Sequence, residues 1–212
     1  MNQYNLTFDK KNSFNINNYI TSNSNKEAFK ILIEDNKLKS FFLYGPMKCG
    51  KSHLSNIWLK NNNALNLKSK LLNLENISNI NNNILIDDVF NEINEEFLFH
   101  LINHVSSNNL KILLTSDIKP ISFEFKINDL SSRIKTFYFT EIFKPDDFLI
   151  MNLIIKLFSD RQLNLKNHEI INYITKRIDR YFDSVYILIN KIDNYSLSQK
   201  SEITIPLIKE II

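Results

Sequence analysis

The chain has only two glycines, Gly45 and Gly50, and both fall in one segment, Gly45-Pro46-Met47-Lys48-Cys49-Gly50-Lys51-Ser52. Turns elsewhere are left to Asn, Asp and Ser, so glycine is kept where a side chain cannot be tolerated. Glycine permits positive φ and lets the backbone approach a ligand closely. Gly45, Gly50, Lys51 and Ser52 satisfy the spacing G-x-x-x-x-G-K-[ST]. Such a loop turns its amides toward phosphate groups, and the helix that follows adds its dipole. Lys51 is expected to reach the β- and γ-phosphates, and Ser52 to hold Mg²⁺. The flanks supply the context the motif needs: Phe41-Phe42-Leu43-Tyr44 reads as a buried strand, and Lys51 to Lys60 as a helix.

The same reading along the chain gives alternating elements. A helix is expected from Asn25 to Asp35, a second strand at Lys70 to Leu74, and a third at Ile84-Leu85-Ile86. Glu95 to Val105 has helical periodicity, Ile112 to Asp117 is a further strand, and Phe137-Tyr138-Phe139 is a fifth candidate. These strands are apolar throughout, with no polar alternation, which predicts a parallel sheet covered on both faces. From Lys144-Pro145-Asp146-Asp147 onward only helices are expected: Asp146–Arg161, Asn167–Asp179, Phe182–Tyr195 and one after Thr204. The expected fold is therefore α/β, a three-layer αβα domain with a five-stranded parallel sheet, followed by a small helical lid. The divisions are 1–13 (an N-terminal arm), 14–144 (the nucleotide-binding domain) and 145–212 (the lid).

Two strand ends carry further chemistry. Asp87, closing a buried strand, can orient Mg²⁺ directly or through water, and Asp88 can polarise an attacking water. Thr115-Ser116-Asp117 ends the next strand, where ligands of parallel sheets gather, so Ser116 or Asp117 can sense a terminal phosphate or hold the water. His100 and His104 are four residues apart on a helix, but Leu101 stands where a zinc-protease helix needs Glu, so they read as ordinary partly buried histidines. The Cys49 side chain is given no chemical part.

Composition narrows the partners. A net charge of +3, from 26 basic and 23 acidic residues, is too small for a dedicated nucleic-acid face, so no direct sequence-specific DNA binding is expected. No apolar run approaches the ~20 residues of a membrane span. A single cysteine excludes an internal disulfide and fits a cytoplasmic location.

Together these segments resemble the AAA+ superfamily and, within it, the DnaA/Hda branch. Phe41 to Leu54 is similar to that branch's Walker A segment, Ile86-Asp87-Asp88 to its Walker B ending, Thr115-Ser116-Asp117 to its sensor I, and Asp129 to Arg133 to its box VII. Asp179-Arg180 and the ending Glu202 to Glu210 resemble the Hda lid and tail. The resemblance implies that Tyr19 and Ile20 cover the adenine of ADP or ATP. It also places Pro46, Met47, Lys48, Cys49 and His53 in the site beside the motif residues. It implies that Arg133 acts on ATP held by a DnaA partner, giving negative control of replication initiation with weak or no ATPase alone. Gln3, Leu6 and Phe8 resemble a peptide that binds the sliding clamp (the β subunit of DNA polymerase III), although Tyr4 departs from the usual Leu. Self-association is compatible with the family. Asp183 occupies the apparent place of the sensor II arginine, where an acid should repel phosphate, and the Gly that often follows the box VII arginine is absent. A self-contained ATPase such as a helicase loader, and a DnaA-related adaptor with structural nucleotide, remain as alternatives.

Overall fold

A computed structural model of the protein describes residues 16, 19–35, 37–67, 74–91, 94–163, 169–199 and 203–211. Its centre is a five-stranded parallel sheet built from β1 (Ser40–Tyr44), β2 (Leu65–Asn66), β3 (Ile84–Ile86), β4 (Ile112–Ser116) and β5 (Tyr138–Glu141). The spatial order is β2-β3-β4-β1-β5. Phe42 of β1 stands opposite Leu114 of β4 and Phe139 of β5.

Because side chains alternate across a strand, each central strand feeds two cores. Phe42, Ile84, Ile86, Ile112 and Leu114 point to one face. There they meet Phe97, Leu98, Leu101 and Val105 of α3 (Glu95–Ser107) and Leu130 and Ile134 of α4 (Asn128–Ile134). Phe41, Leu43, Leu85 and Leu113 point to the other. That face is covered by Ala28 of α1 (Lys26–Phe29), Leu32 of the π turn Lys30–Glu34 that continues it, and Leu54 and Trp58 of α2 (Lys51–Asn61). Two covered faces explain the unbroken apolar runs of β1, β3 and β4.

Both sheet edges differ from the expectation. The second strand is Leu65–Asn66, not 70–74: Leu65 N donates to Asn83 O and Leu67 N to Leu85 O, both at 2.8 Å. Both of its residues are exposed, so no apolar run announces it. Residues 70–73 lie outside the described residues, and Leu74 begins a 3₁₀ turn, Leu74–Asn79. The fifth strand starts at Tyr138, and Tyr138 and Phe139 are each 40% exposed at the uncovered edge.

The remaining helices are α5 (Asp147–Asp160), α6 (Glu169–Thr175), α7 (Phe182–Gln199) and α8 (Ile205–Ile211). They share their own core, which includes Ile150, Ile154, Phe158, Ile174, Ile189 and Ile208. Asp146 starts α5 by accepting a 2.8 Å hydrogen bond from Leu149 N, as Asn94 starts α3 by accepting from Phe97 N at 3.0 Å. The helix expected at Asn167–Asp179 is shorter among the described residues, and that expected at Phe182–Tyr195 runs on to Gln199. The fold is the AAA+ arrangement of a parallel αβα sheet with a helical lid.

Candidate functional site

The glycine loop leaves the sheet pinned between two strands. Gly45 N donates to Ser116 O at 3.3 Å and Ile142 N to Tyr44 O at 2.9 Å. A Cβ on Gly45 would lie 2.1 Å from Ile142 O, a backbone atom that cannot step aside. Gly50, at φ +102°, caps α2 without help from any side chain, and its Cβ would lie 2.9 Å from the Phe182 ring. The close approach that the sequence assigns to a ligand is thus made at both glycines by the chain itself. Between them, Met47 is exposed, Pro46 half-buried, and Lys48 left-handed at φ 60°. Cys49 is turned inward among Leu54 and Trp58, and burial raises its thiol pKa.

Lys51 is buried at the start of α2. Its Nζ donates to Gly45 O and Pro46 O, each at 2.8 Å, and pairs with Asp117 Oδ1 at 2.5 Å. Ser52 Oγ donates to Asp87 Oδ2 at 3.1 Å, and Thr115 Oγ1 donates to Asp87 Oδ1 at 2.5 Å. Thr115 Oγ1 in turn accepts from Asp88 N at 2.9 Å. Asp87 is therefore held between α2 and β4 by two hydroxyls, which leaves lone pairs of both oxygens available to a cation. Asp88 follows in a left-handed turn at φ 54° and is exposed. Partial burial, then the carboxylates of Asp117 and Asp87, raise its pKa. Of the two polar residues ending β4, Asp117 faces the loop. Ser116 is buried, its Oγ accepting from Ile118 N at 2.9 Å.

Beside the loop, the Tyr19 ring stacks on Phe29 (5.3 Å, 14°) and meets His53 edge-on (5.2 Å, 85°). Burial pushes the Tyr19 hydroxyl well above the ordinary tyrosine range, and burial, then Lys156 and Lys60, lower the His53 pKa. The Asn25 side chain shapes this segment, accepting from Ser22 N at 2.8 Å and donating to Ile20 O at 3.0 Å. Ile20 packs on the core of α5–α8, so its segment touches both halves of the molecule.

The start of α7 also reaches the loop. Phe182 N donates to Lys48 O at 3.4 Å, and Asp183 Oδ2 pairs with Lys48 Nζ at 3.0 Å. Arg180 pairs with Asp147 at the start of α5. Arg133 is exposed on α4 and makes no ion pair among the described residues. His104 Nε2 is 2.8 Å from Ile80 O, and His100 packs on Phe99, so the two histidines serve separate neighbours. Gln3, Leu6 and Phe8 lie outside the described residues. Sequence reasoning missed the roles of Thr115 and Phe182. Thr115 had a legible signal, a hydroxyl at a fully buried position near the end of an apolar run; Phe182 had none.

Comparison with known proteins agrees with this architecture. Residues 152–212 match the family described as Hda, lid domain. The chromosomal replication initiator protein DnaA of Campylobacter jejuni is 28% identical over 232 aligned residues, covering 94% of this chain and 52% of that protein. The chain thus spans about half the length of the curated relatives it matches. Domain III of Thermotoga maritima DnaA superposes with a TM-score of 0.80 at 19% identity, covering 95% of this chain and 96% of that one. AMPPCP-bound DnaA from Aquifex aeolicus gives a TM-score of 0.71 at 21% identity, covering 88% and 68%. The chain thus has the fold of the DnaA AAA+ domain, is similar in sequence to DnaA, and carries an ending that matches the Hda lid family.

Proposed function

We propose that this protein holds an adenine nucleotide, ADP in its working state, and acts as an Hda-like negative regulator that completes the ATPase site of DnaA. The residues present fit a Mg²⁺-nucleotide. Lys51 stands at the uncapped start of α2 beneath the loop amides, and the Ser52 hydroxyl meets a carboxylate, Asp87, that Thr115 orients. In this reading the loop amides and Lys51 hold the phosphates, Ser52 and Asp87 hold the metal, and Tyr19, Ile20 and His53 border the base. Mg²⁺, when bound, supplies positive charge that offsets the phosphates.

The observation that carries the regulatory reading is Arg133. It projects from α4 into solvent with no carboxylate partner among the described residues, so its charge is available to a second molecule. A guanidinium delivered to the γ-phosphate of another subunit stabilises developing charge there and accelerates hydrolysis by about 10³- to 10⁵-fold in trans-arginine systems. Gln3, Leu6 and Phe8 would tether the protein to the sliding clamp on DNA, raising the local concentration of Arg133 near DnaA.

The test mixes the protein with DnaA–ATP and clamp loaded on DNA and follows phosphate release. Hydrolysis should rise. It should fall back to the DnaA-only rate with Arg133→Ala, and to a much smaller stimulation with Gln3→Ala. Full stimulation by Arg133→Ala removes the arginine assignment. Steady hydrolysis by this protein alone, abolished by Lys51→Ala, would favour a self-contained ATPase.

A further inference from the structure

We infer that Asp183 is a specificity determinant of the nucleotide site: it acts as a built-in counter-anion on the phosphate loop and disfavours the longer phosphate chain. The inference rests on the nucleotide-binding reading above. Three contacts bring the first turn of α7 onto the loop: the Phe182 amide on Lys48 O (3.4 Å), the Phe182 ring over Gly50, and the Asp183 carboxylate on Lys48 Nζ (3.0 Å).

Lys48 lies in the middle of the loop, and its left-handed backbone leaves the side chain half in solvent. A cation there would ordinarily be free to meet a phosphate oxygen. Here it already has a carboxylate partner, held in the first turn of an 18-residue helix whose dipole favours an anion at that end. The other loop lysine is likewise matched, Lys51 by Asp117 at 2.5 Å. Both loop lysines therefore already have a carboxylate partner. Each further phosphate adds negative charge that finds no unmatched loop lysine, so the loop discriminates by charge number. Lys48 and Asp183 are each about half exposed, with side-chain accessibilities of 52% and 54%, so the effect is modest and screened by salt.

The experiment is calorimetric titration of ADP and of AMPPCP, both with Mg²⁺, into wild type, Asp183→Asn, Lys48→Gln and the double variant. Asp183→Asn should raise AMPPCP affinity about three- to fivefold relative to ADP at low salt, and this gain should shrink at about 1 M salt. Lys48→Gln should shift the ratio the other way, because Asp183 is then unmatched. The double variant should return it toward wild type, since the two charges removed are opposite. If both nucleotides bind but Asp183→Asn alters them equally, Asp183 has no part in discrimination and the inference is overturned alone. If neither nucleotide binds wild type, the nucleotide-binding reading falls as well.

Discussion

Thr115 joins three backbone or side-chain groups at the end of β4. Its hydroxyl donates to Asp87 and accepts from Asp88 N, and its carbonyl accepts from Val89 N at 2.8 Å. Valine has the same shape without the hydroxyl, so Thr115→Val leaves a part-buried amide unpaired and Asp87 half-held. The expected cost is about 1–3 kcal/mol, read by urea unfolding with Trp58 fluorescence, together with a loss of about tenfold or more in Mg²⁺-dependent ADP affinity. A variant as stable and as tight as wild type would show that the hydroxyl does nothing.

Asp88 makes a pH prediction of definite sign. Its folded pKa is raised above the ordinary 3.8, so the folded state holds the proton more tightly than the unfolded chain. Its contribution to stability is therefore fully present below 3.8 and is lost as pH rises through the raised folded value. Asn tolerates the left-handed backbone found here and carries no charge to be repelled by Asp117 and Asp87. Asp88→Asn should thus be slightly more stable than wild type at neutral pH, with the gap closing below pH 3.8. Thermal melts across this range provide the check, and a variant less stable at pH 7 than at pH 3 relative to wild type would contradict the sign.

At the scale of elements, helix starts decide where the molecule changes from sheet to bundle. Asp146 caps α5 through Leu149 N, just after β5 ends and the Lys144-Pro145 pair breaks the chain. Removing the cap in Asp146→Ala should cost about 1 kcal/mol in denaturant unfolding, and no change would mean that solvent replaces the carboxylate without loss. The elements also show what periodicity can report. β1, β3 and β4 were readable because burial on both faces favours an unbroken apolar run through the middle of each strand. β2 was not, because two exposed edge residues leave no such pattern, and β5 was displaced because its outer residues face solvent. α5, α7 and α8 were readable because each lays one apolar stripe on a common core.

At the scale of the molecule, the bundle reaches the loop through Phe182 and Asp183, and Ile20 packs on the bundle core. A ligand bound at this junction stabilises both parts together. ADP with Mg²⁺ at about 100 times its Kd should add about 2.7 kcal/mol, a rise in Tm on the order of 5–10 °C. Lys51→Ala should lose that shift. A flat melt for wild type would remove the pocket from the account of function.

The sequence by itself determined the glycine loop, the central strands, the carboxylate at the end of β3 and the helical ending, because each is a local pattern of residue types. Tertiary structure alone decided why the glycines are needed, since Ile142 and Phe182 crowd them from distant parts of the chain. It alone matched Lys51 with Asp117 and set Asp183 against Lys48, where the sequence showed only an acid in an unfavourable place. Those pairings join residues 66 or more positions apart. Local spacing carries no record of such distances; they exist only once the sheet and the bundle have packed.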